Sequence, residues 1–282
     1  MSAPSIRLSI SIQVEDYGPR FPVALFEGDF EEKLEKAANC RADGVELITT
    51  DPQALNPAFI RACLSKAGLE AAAVASGGLS VVAGRTLLNP SLEVARAAQT
   101  NLQDLIRFAA EVGAVLVNIG SFRGKLAWVE GDGSERLASI LYDSAEYASA
   151  CGVRLAIEPL NRYETDMINN VDQGLAFLCR VKHASLGLLL DTFHINIEES
   201  SWTEPFLKAI KYNKLFHVHI GDNNRLYPGG GLIDFYKILS ILRQSHYEGY
   251  ISAELLPFPT PDLAAQNTLI NLRSILERLS CD

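Results

Sequence analysis

The chain has 282 residues, of which 48% are hydrophobic and 21% are charged, and its formal net charge is −9. Single α/β barrels run to about 250 residues, so residues 1–282 are predicted to form a single domain. Lys and Arg are dispersed in an acidic chain that a phosphate backbone would repel, which disfavours nucleic acid as a partner. No apolar run approaches the ~20 residues that cross a bilayer, so no membrane partner is expected.

The five cysteines are odd in number, widely separated and never in a Cys-x-x-Cys pair. This pattern argues against disulfides and against a structural zinc site. Residues Met1–Gln13 lack a basic start followed by a long apolar block, so no export signal is expected. Together these features predict a cytoplasmic protein.

Short apolar runs alternate eight times with longer segments of helical period, as is typical of βαβ units around a parallel sheet. Eight rounds predict an α/β fold, the (β/α)8 TIM barrel. The predicted strands are Arg7–Ile12, Gly44–Ile48, Glu70–Ala75, Val115–Ile119, Arg154–Glu158, Leu186–Asp191, Leu215–His219 and Tyr250–Glu254. The predicted helices include Phe30–Cys40, Leu92–Val112, Ser134–Ala150, Asp172–Val181, Phe235–Gln244 and Ala264–Leu279. The Gly-rich segment Ser76–Asn89 is predicted to be an active-site loop.

Polar residues end the last four predicted strands: Glu158, Asp191, His219 and Glu254. The active site of such a barrel lies at the C-terminal ends of its strands, so these side chains are expected to converge. Clustered carboxylates repel one another unless a cation lies between them. Three oxygen ligands and one nitrogen favour Mn²⁺, with Co²⁺ or Mg²⁺ as alternatives, over a closed zinc site. His219 is preferred as the ligand to His217, which lies deeper on the same strand face.

Each of these residues taken alone is more typical of a helix cap, a surface charge or a core histidine. The longer motifs are more specific, and they comprise Ile157–Glu164, Leu190–Glu199, and His217–His219 continuing to Asn224–Arg225. With them the chain resembles the D-tagatose 3-epimerase/D-allulose 3-epimerase family of xylose-isomerase-like TIM barrels. The segments Phe26–Asp29 and Ile119–Gly124 most resemble the 5-keto-L-gluconate epimerase/L-ribulose 3-epimerase type.

The resemblance implies that the four strand-end residues are the metal ligands and that Glu164, His194 and Arg225 hold substrate oxygens. It implies an isomerase that inverts carbon 3 of a ketose or keto-sugar acid through a cis-enediolate, with Glu158 and Glu254 as the base and the acid. It also implies a homodimer or homotetramer. The sequence departs from the family at Asp222, where Glu is frequent, and this departure is expected to affect the substrate rather than the reaction.

Three alternatives remain open. The first is an aldose-ketose isomerase on the same barrel, and the second is a metal-dependent hydrolase. The third is a sugar-binding protein that has lost the chemistry.

Arg123 and Lys125 are interpreted either as ligands of a sugar carboxylate, through the bidentate fork of a guanidinium, or as surface charges. The glycines at 229–231 are interpreted either as a lid or as a turn.

Overall fold

The structure, a computed structural model, describes residues 6–16 and 18–281. Within these residues, eight parallel strands pair in chain order, and the first also pairs with the last to close a barrel. The strands are β1 (Arg7–Gln13), β2 (Gly44–Ile48), β3 (Glu70–Ala75), β4 (Leu116–Ile119), β5 (Arg154–Ile157), β6 (Leu186–Asp191), β7 (Leu215–Ile220) and β8 (Tyr250–Ala253). The prediction of a (β/α)8 TIM barrel is confirmed, and each predicted strand end lies within one residue of the observed end.

The helices surround the barrel, with two helices after β3, two after β6 and one after each other strand among the described residues. They are α1 (Phe30–Asn39), α2 (Pro57–Ala67), α3 (Gly77–Val81), α4 (Leu92–Val112), α5 (Gly133–Ala150), α6 (Val171–Val181), α7 (Thr192–Glu198), α8 (Glu204–Lys211), α9 (Phe235–Gln244) and α10 (Pro261–Cys281). The segment predicted as an active-site loop contains the short helix α3. Among the described residues, none of these helices combines the length and apolar character needed to span a membrane.

Side chains of the strands alternate between two different environments. In β1, Leu8, Ile10 and Ile12 are fully buried in the main apolar core, which lies between the barrel and the helices. The intervening Ser9 and Ser11 are equally buried, and because successive side chains of a strand point to opposite faces, they point into the barrel. The inside of the barrel therefore holds polar side chains, some of which support the site at its mouth.

Candidate metal and substrate site

Four residues, called here the mouth cluster, lie together at the C-terminal mouth of the barrel: Glu158, Asp191, His219 and Glu254. Glu158 and Glu254 follow β5 and β8 directly, and their backbone N–H groups extend the ladder by donating to carbonyls of β4 and β7 over 3.0 and 3.3 Å. Asp191 ends β6 and accepts a hydrogen bond from the first turn of α7 over 2.9 Å. Regular backbone thus fixes the base of all four side chains.

The mouth cluster is tight and largely dry. One possible ligand atom from each residue lies within 4.8 Å of the others. His219 Nδ1 is 3.2 Å from Glu254 Oε2 and 3.7 Å from Glu158 Oε1. Three of the four residues are at most 5% exposed. The structure therefore brings together all four residues that the sequence nominated as ligands.

Two carboxylate oxygens of the mouth cluster, Glu158 Oε1 and Asp191 Oδ2, are buried and have no hydrogen-bond partner within residues 6–16 and 18–281. Buried polar atoms are nearly always paired, so two unpaired oxygens in one site are costly unless a cation lies there. Burial, reinforced by the charges of Glu158 and Glu254, raises the pKa of Asp191 to about 8. The donor set of three carboxylates and one imidazole fits a divalent cation, which would offset this cost.

The pKa values of the two glutamates of the mouth cluster are shifted in opposite directions. Burial, together with the charge of Glu254, raises the pKa of Glu158. Burial also acts to raise the pKa of Glu254, but attraction to His219 and Arg225 outweighs it and lowers that pKa. Gly120 gives Glu158 its space, because a Cβ at this position would lie 2.6 Å from Glu158 Oε2.

His194 and Glu164 lie beside the mouth cluster and share one partner, Asn161. The amide of Asn161 donates to Glu164 Oε1 over 2.9 Å and lies 2.8 Å from His194 Nδ1, which also accepts from the Asn161 backbone N–H over 3.3 Å. His194 Nε2 has no hydrogen-bond partner among the described residues and lies 3.8 Å from both Glu158 Oε1 and Asp191 Oδ2. Burial, aided by the charge of Arg225, lowers the pKa of His194 well below its ordinary value. The ring is therefore a neutral donor directed into the site.

Arg225 is the third residue beside the mouth cluster, with His194 and Glu164, and its backbone adopts a left-handed φ of 59°. Its guanidinium lies 3.4 Å from Glu164 Oε1 and 3.6 Å from Glu254 Oε2, over the ring of Phe193. The fully buried carboxylate of Asp222 organises the loop that carries it, because it accepts four backbone N–H groups from residues 223, 229, 231 and 233. The glycines at 229–231 therefore form a turn held by Asp222.

The xylose isomerase-like TIM barrel family matches residues 34–274. The chain belongs to this family. Its relatives include an L-ribulose 3-epimerase from Methylomonas sp. (strain DH-1), 30% identical over 249 residues that cover 85% of this chain and 82% of the relative. A ketose 3-epimerase from Arthrobacter globiformis is 31% identical over 78% of this chain and 75% of its own length.

The solved structure of an L-ribulose 3-epimerase has a TM-score of 0.77 and 25% identity, covering 98% of this chain and 96% of that chain. Together with the sequence relatives, this confirms the predicted resemblance to ketose 3-epimerases. Similarity to the 5-keto-L-gluconate epimerase subgroup stays a prediction.

One expectation for this member of the xylose isomerase-like family needs correction. Arg123 is fully buried and donates to the backbone carbonyls of Gly120, Glu158, Met167 and Ile168 over 2.8 to 3.3 Å. Burial lowers its pKa to about 10, so the guanidinium stays charged at neutral pH. Arg123 is therefore neither a surface charge nor a sugar ligand, because it is fully buried and its two terminal nitrogens already hold backbone carbonyls of the loops after β4 and β5. Lys125 is half-buried, with its ammonium 5.8 Å from the ring of Trp128.

The sequence reasoning missed Glu46 and Asn161. Glu46 is a fully buried carboxylate in the middle of β2, and the signal for it was a charge inside the apolar run Gly44–Ile48. Burial acts to raise the pKa of Glu46, but attraction to His219 and hydrogen bonds from His217 and His219 outweigh it and hold that pKa below its ordinary value. Asn161 lies inside a motif that the sequence did indicate, and its partners became evident only from the structure.

Proposed function

We propose that this protein is a metal-dependent sugar epimerase that inverts carbon 3 of a ketose. The observation that carries the proposal is the mouth cluster, where Glu158 and Glu254 lie together. Within it, one oxygen of Glu158 and one of Asp191 are buried without a hydrogen-bond partner among the described residues. Ketose 3-epimerases among the relatives support the reaction class and the assignment to the isomerases.

The four residues of the mouth cluster are proposed to hold one divalent ion. We favour Mn²⁺, with Co²⁺ or Mg²⁺ as alternatives, because the donors are three carboxylates and an imidazole without a thiolate. When bound, the ion supplies a Lewis acid that stabilises negative charge at the carbonyl end of the substrate.

Glu158 and Glu254 are proposed to move the proton. They follow β5 and β8, which lie three strands apart in the ring of eight, so they reach the site from different directions. One carboxylate takes the proton from carbon 3, which leaves a cis-enediolate, and the other returns a proton to the opposite face. The configuration at carbon 3 is thereby inverted, and the two roles exchange in the reverse reaction.

His194, Glu164 and Arg225 are proposed to bind the sugar oxygens. The unpartnered Nε2–H of His194 is directed into the site and can donate to a carbonyl or hydroxyl oxygen. Glu164 accepts from hydroxyl groups while Asn161 holds its carboxylate in place. Arg225 contributes N–H donors and also fixes the position of Glu254.

The charges around the site favour a neutral ketose over a keto-sugar acid. The cavity at the mouth has a volume of about 120 Å³, and its walls include Phe21, Val23, Val81 and Leu160. Among its described lining residues, Arg225 is the single Arg or Lys, and it already faces two carboxylates. A substrate carboxylate would therefore find no uncommitted cation there. We accordingly favour free ketopentoses or ketohexoses.

The aldose-ketose isomerase alternative calls for a catalytic Lys and a second metal ion. Among the described residues that line the cavity there is no Lys. A second possible ligand group, consisting of Glu46, His217 and His219, shares its histidine with the mouth cluster. The carboxylate of Glu46 is already engaged by N–H donors, so no observation favours this alternative.

We also propose a cytoplasmic location and a homodimer or homotetramer. Five free, dispersed cysteines support a reducing compartment. The oligomeric state is expected from the family resemblance, and sedimentation velocity of the purified protein measures it.

The test is a panel assay of the purified, Mn²⁺-loaded protein with L-ribulose, D-fructose, D-tagatose and 5-keto-L-gluconate. Chromatography is expected to detect the carbon-3 epimer of at least one neutral ketose, with a lower kcat/KM for the keto acid. Glu158→Gln is the inactive control, and Glu248→Gln, at an exposed glutamate, is the matched substitution outside the site. Binding of Mn²⁺ without conversion of any of these sugars would contradict the proposed reaction.

A further inference from the structure

Glu46 is a carboxylate where the fold alone would favour an apolar side chain. It lies in the middle of β2 between apolar neighbours and is 0% exposed. Burying an ionised carboxylate is costly unless charged or hydrogen-bonded partners surround it. The partners of Glu46 therefore indicate what it does.

Three N–H groups converge on this single carboxylate. Asn118 Nδ2 donates to Oε1 over 2.6 Å, and His217 Nε2 lies 2.8 Å from Oε2. His219 Nε2 lies 3.0 Å from both oxygens. Asn118 is in β4 and the histidines are in β7, which are not neighbours of β2, so the bonds cross the inside of the barrel. These four residues are called here the Glu46 network.

The bond to His219 decides which of its nitrogens faces the mouth cluster. A neutral imidazole carries one proton, so one nitrogen donates and the other offers a lone pair. In the neutral ring that would bind a metal ion, Glu46 holds the proton on Nε2, and Nδ1, which lies 3.2 Å from Glu254 Oε2 and 3.7 Å from Glu158 Oε1, is left to offer its lone pair. A carboxylate on the remote N–H of a metal-binding histidine fixes the ring orientation and increases its basicity.

We propose that Glu46 is a positioning residue that fixes the ring and the tautomer of His219 and thereby sets the metal affinity of the mouth cluster. The proposal rests on the proposed metal site but is independent of which sugar is bound. Asn118 and His217 complete the role by fixing the Glu46 carboxylate from two further sides.

The experiment is isothermal titration of Mn²⁺ into wild-type protein, Glu46→Gln and Glu146→Gln, each freed of metal beforehand. Glu146 is the matched control, because it contacts His183 Nε2 over 2.9 Å at the protein surface. In Glu46→Gln one carboxylate oxygen is replaced by an NH2 group, which cannot accept a hydrogen bond. At least one of the three N–H donors then faces another donor, and the position of His219 is no longer fixed. We expect affinity to fall about 10–100-fold with one ion still bound, and Glu146→Gln to match wild type.

Unchanged Mn²⁺ affinity in a folded Glu46→Gln variant would overturn the proposal while leaving the proposed function intact. A wild-type stoichiometry of two, with the second ion lost in Glu46→Gln, would also overturn it, since the Glu46 network would then be a metal site itself. Failure of the wild-type protein to bind Mn²⁺ would overturn both the proposed function and this proposal.

A second measurement keeps the proposal testable if Glu46→Gln does not fold. Nitrogen-15 NMR of the Mg²⁺-loaded wild-type protein reports the tautomer of each histidine directly. We expect the proton of His219 on Nε2, with Nδ1 shifted by the metal. A His219 ring with its single proton on Nδ1 and none on Nε2 would refute the positioning role, because Glu46 would then accept no hydrogen bond from His219.

Discussion

Two layers of the barrel, the mouth cluster and the Glu46 network below it, both contain buried carboxylates but differ in how these carboxylates are hydrogen-bonded. In the mouth cluster, Glu158 Oε1 and Asp191 Oδ2 are buried and lack a hydrogen-bond partner among the described residues. One layer deeper, both oxygens of Glu46 accept hydrogen bonds from side chains on other strands. The pKa is raised for Glu158 and Asp191, which burial dominates, and lowered for Glu46, where the hydrogen bonds and His219 outweigh burial.

The mouth cluster therefore has acceptor oxygens that can bind a ligand, whereas the Glu46 network holds the side chains of the site in position. A carboxylate that already accepts three N–H donors has little acceptor capacity left for a metal ion, whereas buried carboxylate oxygens without such donors are costly unless a proton or a cation binds them. Two buried side chains in the loops have a similar supporting function. Arg123 donates to the backbone carbonyl of Glu158, and Asp222 accepts backbone N–H groups of the loop that carries Arg225. Substitutions in the two layers should therefore affect different quantities.

The largest effect is expected in the mouth cluster. Glu158→Gln and Glu254→Gln each remove a group proposed to transfer a proton at carbon 3. General acid–base groups contribute about 10²–10⁴-fold, so kcat is expected to fall by that factor or more. Steady-state kinetics of each variant with the best substrate of the panel measures it. Activity within tenfold of wild type in either variant would remove that glutamate from the proposed chemistry.

A smaller effect, on stability, is expected from Arg123→Met. This change removes the guanidinium donor from four buried carbonyl oxygens, of which those of Gly120 and Ile168 keep a backbone N–H partner, and each carbonyl left unpaired costs about 1–3 kcal/mol before relaxation. We expect the free energy of unfolding to fall by about 3 kcal/mol in urea titrations. The control is Lys125→Met, which loses an interaction with Trp128 worth about 1 kcal/mol or less. Equal losses in both variants would contradict the structural role of Arg123.

Asp222→Asn is expected to weaken substrate binding through Arg225. The asparagine has one acceptor oxygen for loop amides that now share two, which costs about 1–3 kcal/mol and releases the turn. KM is expected to rise more than kcat falls, as steady-state kinetics will resolve. Asp172→Asn, at an exposed Asp paired with Lys208, is the matched control. A fall in kcat at constant KM would instead place Asp222 in the chemical step.

The smallest expected effect is a pH dependence of the stability of the metal-free protein. The pKa of Asp191 is raised to about 8 by burial and by Glu158 and Glu254, and that of Glu158 is raised mainly by burial. Burial acts to lower the pKa of His219, but Glu46 and Glu254 outweigh it and raise that pKa. The stability that these groups contribute is present below their unfolded pKa values and is lost as pH rises through the folded values. If the mouth cluster binds Mn²⁺ as proposed, the ion takes the place of these protons, and its stabilising effect is expected to grow with pH.

Thermal unfolding at pH 6, 7 and 8, with and without Mn²⁺, measures this dependence. We expect the Tm of the metal-free protein to fall from pH 6 to pH 8 and the increase in Tm on adding Mn²⁺ to become larger. Asp191→Asn is the control, because it removes the carboxyl group whose pKa is raised to about 8. An increase in Tm that is the same at pH 6 and pH 8 would contradict the electrostatic account of the mouth cluster.

Much of the fold could be predicted from the sequence, because the strands are short, mainly apolar segments buried on both faces. The strand ends were within one residue, and the barrel topology then brought Glu158, Asp191, His219 and Glu254 to one place. Helices α2, α3, α7 and α8 were not among the helices named from the sequence. The residues of α3 were interpreted as a loop, and those of α7 as part of a binding motif.

The supporting layer could not be predicted, because its contacts join residues far apart in the chain. Glu46 lies 171 and 173 positions from His217 and His219, and periodicity within a window carries no information about such pairs. Arg123 was misinterpreted for the same reason, since the carbonyl groups that it satisfies at 158, 167 and 168 meet only in the folded loop.

The most direct test of the account is the position of deuterium after turnover in heavy water. Wild-type, Mn²⁺-loaded protein is incubated with its best ketose, and proton NMR locates the label in the recovered sugars. Proton transfer by Glu158 and Glu254 at carbon 3 predicts deuterium at carbon 3 of the epimer, with none at carbon 1. Turnover without deuterium at carbon 3, or label at carbon 1, would contradict the account and favour an aldose-ketose isomerase.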